Sequence, residues 1–188
     1  MSEHRIAIVA LFALMLVNAP PSFAKTKAQK QADVRTQAAQ ALAQLYQVRP
    51  SAKATIKAAV GYAAFSNFGM KILVAGGGKG QGLAYENATH NVTYMKMLEV
   101  QAGLGMGAKK FRTIFVFETK SAMDQFVNSG WEFGGQATAA ATTGKKGGAY
   151  QGAVSVMPGV WMYQLTQKGL ALELTGKGTK YYKDDDLN

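Results

Sequence analysis

An α+β domain, with N-terminal helices packed on an antiparallel β sandwich or barrel and one helix inserted between strands, is the fold class this sequence predicts. Three observations carry the prediction. All 21 glycines lie at or beyond Gly61, so the chain changes character sharply at that point. Beyond it, short apolar or alternating runs recur between glycine clusters, the period-two signature of half-buried strands. A single segment with helical spacing, around residues 121–130, interrupts those runs.

Residues 1–24 read as a secretory signal peptide. Met1 to Arg5 is followed by an unbroken apolar run, Ile6 to Val17, then Pro20, Pro21 and Ser22-Phe23-Ala24, which predicts a cut before Lys25. The apolar run would cover ~18 Å as a helix against a hydrocarbon core of ~30 Å. Residues 25–188 are then one domain: 25–60 helical, 61–183 mainly β, and 184–188 an acidic tail. From Lys25 to about Tyr46 the chain is rich in Ala, Gln and Lys without Gly or Pro, which favours helix. Val34, Ala38, Ala41, Leu42 and Leu45 fall on one face at spacings of three and four, so this helix docks, with Lys25, Lys27 and Lys30 frayed and solvated before it. Arg49-Pro50-Ser51 breaks the run, and Ser51 is the expected N-cap of a second helix through Ala59 that sets Ile56 opposite Lys53 and Lys57.

Strands are predicted over Lys71–Ala75, Val92–Val100, Arg112–Glu118, Val160–Thr166 and Leu170–Thr175. Ser121-Ala122-Met123-Asp124 resembles a capping box, Met123, Phe126 and Val127 form the buried stripe of the inserted helix, and Gly130 stops it. The Ala, Thr and Gly stretch from Gln136 to Gly152 is either a strand of tiny side chains or a loop, with Lys145-Lys146-Gly147-Gly148 as a hairpin tip.

Composition excludes several chemistries. There is no cysteine, hence no disulfide, thiolate nucleophile or Cys-ligated metal, and His90 is the sole imidazole after the predicted cut. No metal or other cofactor is expected. Glycine clusters suggest phosphate cradles, yet neither G-x-x-x-x-G-K-[ST] nor G-x-G-x-x-G occurs. Gly76 to Gly82 therefore reads as a turn and strand where backbones approach closely, with Lys79 as a headgroup contact. Gly103, Gly105 and Gly107 would leave one face of their segment without side chains. Glu99, Glu132 and Glu173 sit in predicted strands, where a lysine across the sheet is the expected partner. G-x-S-x-G is absent, and nothing positive supports a carboxylate-pair hydrolase, so the chain is read as a non-enzyme. Asn87-Ala88-Thr89 and Asn91-Val92-Thr93 are N-glycosylation sequons that matter only in a eukaryotic source.

The formal charge is +10, and three of the eleven acidic residues are Asp184, Asp185 and Asp186, so the body ahead of them is more basic still. A field of that sign attracts phospholipid headgroups, nucleic acid or acidic protein faces. Export disfavours nucleic acid. Lys109, Lys110 and Arg112 with Phe111 form a compact basic and aromatic patch suited to an anionic membrane.

Four glycine-bearing blocks then form a pattern. Ala75-Gly76-Gly77-Gly78-Lys79-Gly80-Gln81-Gly82, Val100-Gln101-Ala102-Gly103-Leu104-Gly105, Gly130-Trp131-Glu132-Phe133-Gly134, and Gln167 through Lys180 resemble, in order, the SYLF domain family. The resemblance covers roughly Ala38 to Tyr182. It implies a lipid-binding module; eukaryotic members bind phosphoinositides and, in yeast, actin filaments, while bacterial ones are usually exported. Where many relatives carry a Phe-Pro pair, this chain has Ala64-Phe65-Ser66, so a different entry into the first strand is expected. It also has no cysteine to acylate, unlike many bacterial relatives. Actin is not met in a bacterial periplasm, which leaves lipid as the function the resemblance carries. The basic positions matching its N-terminal membrane-binding segment are Lys53 and Lys57, then Lys25, Lys27 and Lys30. The expectation is a periplasmic or secreted, peripherally membrane-associated domain that holds anionic phospholipid through Lys53, Lys57, Lys79, Lys109, Lys110 and Arg112. An acidic protein partner is the alternative.

Overall fold

The structure is a computed structural model that describes residues 24–72, 75–102, 107–133, 150–167, 169–170 and 178–188. Helix α1 spans Lys27–Val48 and is opened by a capping box, in which the Thr26 hydroxyl accepts from Gln29 N and the Gln29 side chain accepts from Thr26 N. Its start is therefore fixed rather than frayed. Lys25 pairs with Asp33 at 2.5 Å, and Lys27 donates to the Asn188 carbonyl at 2.6 Å. Helix α2 spans Ala52–Ala58 with Ile56 buried and Lys53 and Lys57 exposed. Ser51 holds the N-cap position but has helical backbone angles and makes no side-chain capping bond. The other end of α2 is closed by Asn87, whose amide donates to the carbonyls of Ile56 and Ala59 at 2.8 and 2.9 Å.

Nine strands follow among the described residues: β1 Gly61–Ile72, β2 Ala75–Glu86, β3 Val92–Ala102, β4 Gly107–Phe117, β5 Trp131–Phe133, β6 Val154–Met157, β7 Val160–Thr166, β8 Gly169–Leu170 and β9 Gly178–Lys183. Helix α3, Lys120–Ser129, lies between β4 and β5. It is capped by Thr119, whose hydroxyl accepts from Ala122 N, two residues ahead of the expected Ser121. Gly130 stops it with φ at 68°, a conformation a side chain disfavours. All pairings are antiparallel, in the order β5-β9-β3-β2-β1-β4-β7-β6, with β8 added to β7.

This is one sheet curled on itself, so the choice between sandwich and barrel resolves to a half-barrel. Phe115 on β4 and Tyr181 on β9 are separated in the order by three strands, yet their rings stand 5.0 Å apart edge to face. The inner face collects Phe65, Phe115, Phe117, Met95 and Met97 with Phe126 of α3 and Trp131. The outer face is covered at one end by α1, which lays Val34, Ala38, Ala41 and Leu45 on Ala64, Leu83, Tyr94, Ile114 and Tyr163. Each fully buried Val, Leu or Ile side chain among them contributes about 1.5–3 kcal/mol.

The first strand begins at Gly61, ten positions before the expected Lys71, and Ala64-Phe65-Ser66 sits inside it. Gly76 to Gly82 lies within β2, and the reason is steric. A Cβ at Gly82 would stand 2.4 Å from the Ala64 carbonyl and 2.5 Å from the Phe65 ring, and one at Gly80 would meet the Asn67 side chain at 1.8 Å. Phe65 and Asn67 occupy the space those glycines leave. The stretch 136–149, residues 103–106 and Glu173 lie outside the described residues.

Candidate functional site

Helix α1 covers only part of the outer face. Because alternate side chains on a strand share a face, β1 carries Ala64, Ser66 and Phe68 outward, β2 Leu83, Gln81 and Lys79, β3 Tyr94, Lys96 and Leu98, and β4 Ile114, Arg112 and Lys110. Ala64, Leu83, Tyr94 and Ile114 form the row beneath α1. The next row reads Arg112, Ser66, Gln81, Lys96, Tyr182 across β4, β1, β2, β3 and β9. The third reads Lys110, Phe68, Lys79, Leu98, Lys180. At ~4.8 Å between strands, each of these two five-residue rows is roughly 19 Å long.

In the third row cations alternate with apolar side chains. Lys110, Lys79 and Lys180 are exposed, Phe68 is 41% exposed and Leu98 49%. Lys180 stands opposite Glu132 of β5. All of these two rows except Lys180 line an open groove of ≈ 840 Å³ whose walls include Lys79, Lys96, Lys110, Arg112, Phe68 and Leu98, with Gln37 and Gln44 contributed by α1. No carboxylate is among the groove's lining residues. Arg112 donates to the Gln44 side chain, which aims the guanidinium under the helix.

Lys96 is placed differently. Its ammonium lies 2.8 Å from Asp184 Oδ1 and 2.8 Å from Asp186 Oδ2. Those hydrogen bonds, Asp184's first, raise its pKa well above the ordinary lysine value, and Lys96 in turn lowers that of Asp186. Residues 184–188 are therefore not a loose tail. Asp184 and Leu187 are buried, Tyr94 N donates to the Asn188 side chain, and Gln31 donates to the Leu187 carbonyl.

Of the six residues expected at the site, the fold brings Lys79, Lys110 and Arg112 into one groove. Lys53 and Lys57 are exposed on α2, which Asn87 ties to the Gly61–Glu86 end of the sheet. That end is seven strand positions from Phe68, roughly 23 Å. For Lys109 only the strand position is described, in register with Gly69. Phe111 is buried on the inner face, so the basic and aromatic patch divides, with Lys110 and Arg112 outward and Phe111 inward. Sequence reasoning missed Phe68, Leu98, Lys96 and Lys180. Period-two alternation around Lys96 and Leu98 was the available signal, but β3 is apolar on both faces.

His90 is exposed in the turn after β2, with φ at 61° and Nδ1 2.7 Å from the Tyr85 hydroxyl. Among the described residues no group of three or more His, Cys, Asp or Glu is arranged to hold a metal. Likewise, no described helix is long and apolar enough to cross a membrane.

Comparison with known proteins adds the lineage. Residues 98–188, from the exposed Leu98 through the segment that clasps Lys96, match the family model described as Ysc84, Las17-binding protein actin regulator. Beta cell expansion factor A of Aeromonas veronii is 32% identical over 165 residues, which is 87% of this chain and 60% of that protein. Over these residues the chain is similar to the SYLF family. SYLF proteins form a binding-domain family of the actin- and lipid-binding type. The chain spans about 60% of the length of the curated SYLF relative it matches. Within the matched SYLF segment lie Leu98, Lys110, Arg112 and Lys180; Phe68, Lys79 and Lys96 precede it.

Proposed function

We propose that this protein is a non-enzymatic, exported domain that docks on anionic phospholipid surfaces through the bare outer face of its sheet. The carrying observation is the alternating row Lys110, Phe68, Lys79, Leu98, Lys180. Lysines near an anionic surface contribute roughly 1 kcal/mol each, while the apolar side chains between them enter the headgroup boundary, the combination that peripheral anchoring needs. Among the described residues that line the groove none is a carboxylate, and Asp184 and Asp186 reach Lys96 from the adjoining side. Lys53 and Lys57 at the far end of the sheet supply a second electrostatic contact when the molecule lies flat. Export with removal of residues 1–24 is part of the proposal. It rests on the leader pattern of residues 1–24.

Co-sedimentation with phosphatidylglycerol vesicles at low and high salt tests it. Binding is expected at low salt and lost at high salt, with Lys79→Gln plus Lys110→Gln weakening it by about tenfold or more. Phe68→Ala plus Leu98→Ala should weaken it while leaving the melting temperature nearly unchanged, because both side chains are exposed. Binding equal on neutral and acidic vesicles, or indifferent to salt, would overturn the mechanism. The family model's description names protein partners, which favours a second reading: the same lysines hold an acidic protein face. A stoichiometric protein partner captured by a chain that ignores vesicles would select that reading.

A further inference from the structure

Lys96 lines the groove but is held by two carboxylates that differ in how firmly they are fixed. Asp184 is 1% exposed, its N–H donates to the Tyr94 carbonyl at 2.9 Å, and its Oδ1 accepts from Asp186 N at 3.2 Å. Its carboxylate cannot leave without unseating residues 184–188. The Asp186 side chain is 82% exposed and reaches Lys96 from the solvent side. Lys27 and Lys30 line the small adjoining cavity of ≈ 310 Å³ with them. Lys79 and Lys96 are diagonal neighbours across β2 and β3, about 7–8 Å apart at Cα. An anionic oxygen cluster lying over Gln81 would reach both ammonium groups.

We infer that Asp186 is a built-in competitor for the groove, its carboxylate occupying the position on Lys96 that a phosphate group would take. This rests on reading the groove as an anion site. The ammonium has three donors, and Asp184 uses one of them permanently. Asp186 uses a second, so an incoming phosphate must displace it before Lys96 contributes. The device keeps Lys96 charged and shaped for an anion while lowering the groove's affinity for weakly held ones. The phosphate in question belongs either to a lipid headgroup or to a free ion, and the test separates the two.

Wild type, Asp186→Asn, Asp185→Asn and the double variant Asp186→Asn with Lys96→Gln are compared on phosphatidylglycerol vesicles at low salt. Asp185 is exposed and offers the same change in net charge away from Lys96. Asp186→Asn should tighten binding about fivefold over Asp185→Asn, the worth of one freed lysine, and adding Lys96→Gln should erase the gain. Equal effects of Asp185→Asn and Asp186→Asn would overturn the competition, leaving only a general charge effect. A second measurement does not depend on membranes. Inorganic pyrophosphate is titrated while the Lys96 side-chain resonance is followed by NMR. The resonance should respond at a lower concentration in Asp186→Asn than in wild type, and equal responses would overturn the inference. If vesicles are ignored by every variant while pyrophosphate moves Lys96 as expected, the membrane reading fails and the competition stands with a free phosphate as ligand.

Discussion

Gly77, Gly80 and Gly82 belong to one cluster, yet they do different things. Gly82 lies against the Ala64 carbonyl and the Phe65 ring, so Gly82→Ala must push backbone or a fully buried aromatic and should cost about 1–3 kcal/mol. At Gly77 the nearest atom to an added Cβ is the Glu99 carbonyl at 3.4 Å, and Gly77→Ala should change stability by less than ~0.5 kcal/mol. Urea denaturation of the two variants separates the cases. The cluster was readable as a place of close approach, but which glycine mattered was not, because the crowding atoms come from β1, in a segment whose Ala63, Ala64, Ser66 and Asn67 carry no alternating apolar signal. Residues 98–100 show a similar inversion. Glu99 is buried while Leu98 and Val100 are among the most exposed apolar side chains, the reverse of what hydropathy suggests. Only the placement of α1 and the curl of the sheet decide which face of β3 meets solvent.

Elements were legible in proportion to how local their causes are. The stripe of α1 follows from its own 3.6-residue spacing, and Val34, Ala38, Ala41 and Leu45 are indeed its buried residues. Helix ends were less so: Thr26, Thr119 and Asn87 do the closing, where Ser51 and Ser121 had been the expected caps. Asn87 closes α2 from the other end of a hairpin strand, a relation no local pattern announces. Its sequon is thus occupied by a structural task in the fold. Asn87→Ala leaves the half-buried carbonyls of Ile56 and Ala59 without this donor and should cost about 1–3 kcal/mol by urea denaturation. The neighbouring sequon residue Asn91 is exposed, so Asn91→Ala should be nearly silent. The candidate groove is an element-scale product too. Lys79, Lys110 and Arg112 were visible singly, but their union, and the inclusion of Phe68, Leu98 and Lys96, needs three strand registers at once.

At the scale of the whole molecule, the segment 184–188 joins α1, β3 and the groove. Asp186 has its pKa lowered by the Lys96 hydrogen bond first and by the charges of Lys96, Lys30 and Lys27. A depressed carboxylate stabilises the fold above its ordinary value of 3.8 and loses that contribution as pH falls through the lowered one. The raised Lys96 contributes in the opposite sense: fully below its ordinary 10.5, and until pH climbs past the raised value. Melting temperatures of wild type and Asp186→Asn should therefore differ, in favour of wild type, near neutral pH and converge as the solution is acidified through the lowered Asp186 value. The same variant that binds anions more tightly is thus the less stable one.

The contacts made by that segment have a temporal side. Lys27 reaches Asn188 across 161 positions of sequence and Gln31 reaches Leu187 across 156, while β3 waits for β9 to be paired on its outer edge. Such distant partners place the domain among slow folders, since loop closure must precede the reward. A chain that emerges residue by residue holds α1 without its complete seat until residues 184–188 arrive. Folding from the amino end forward can assemble the hairpins of β1 to β4, but the docking of α1 waits for that segment.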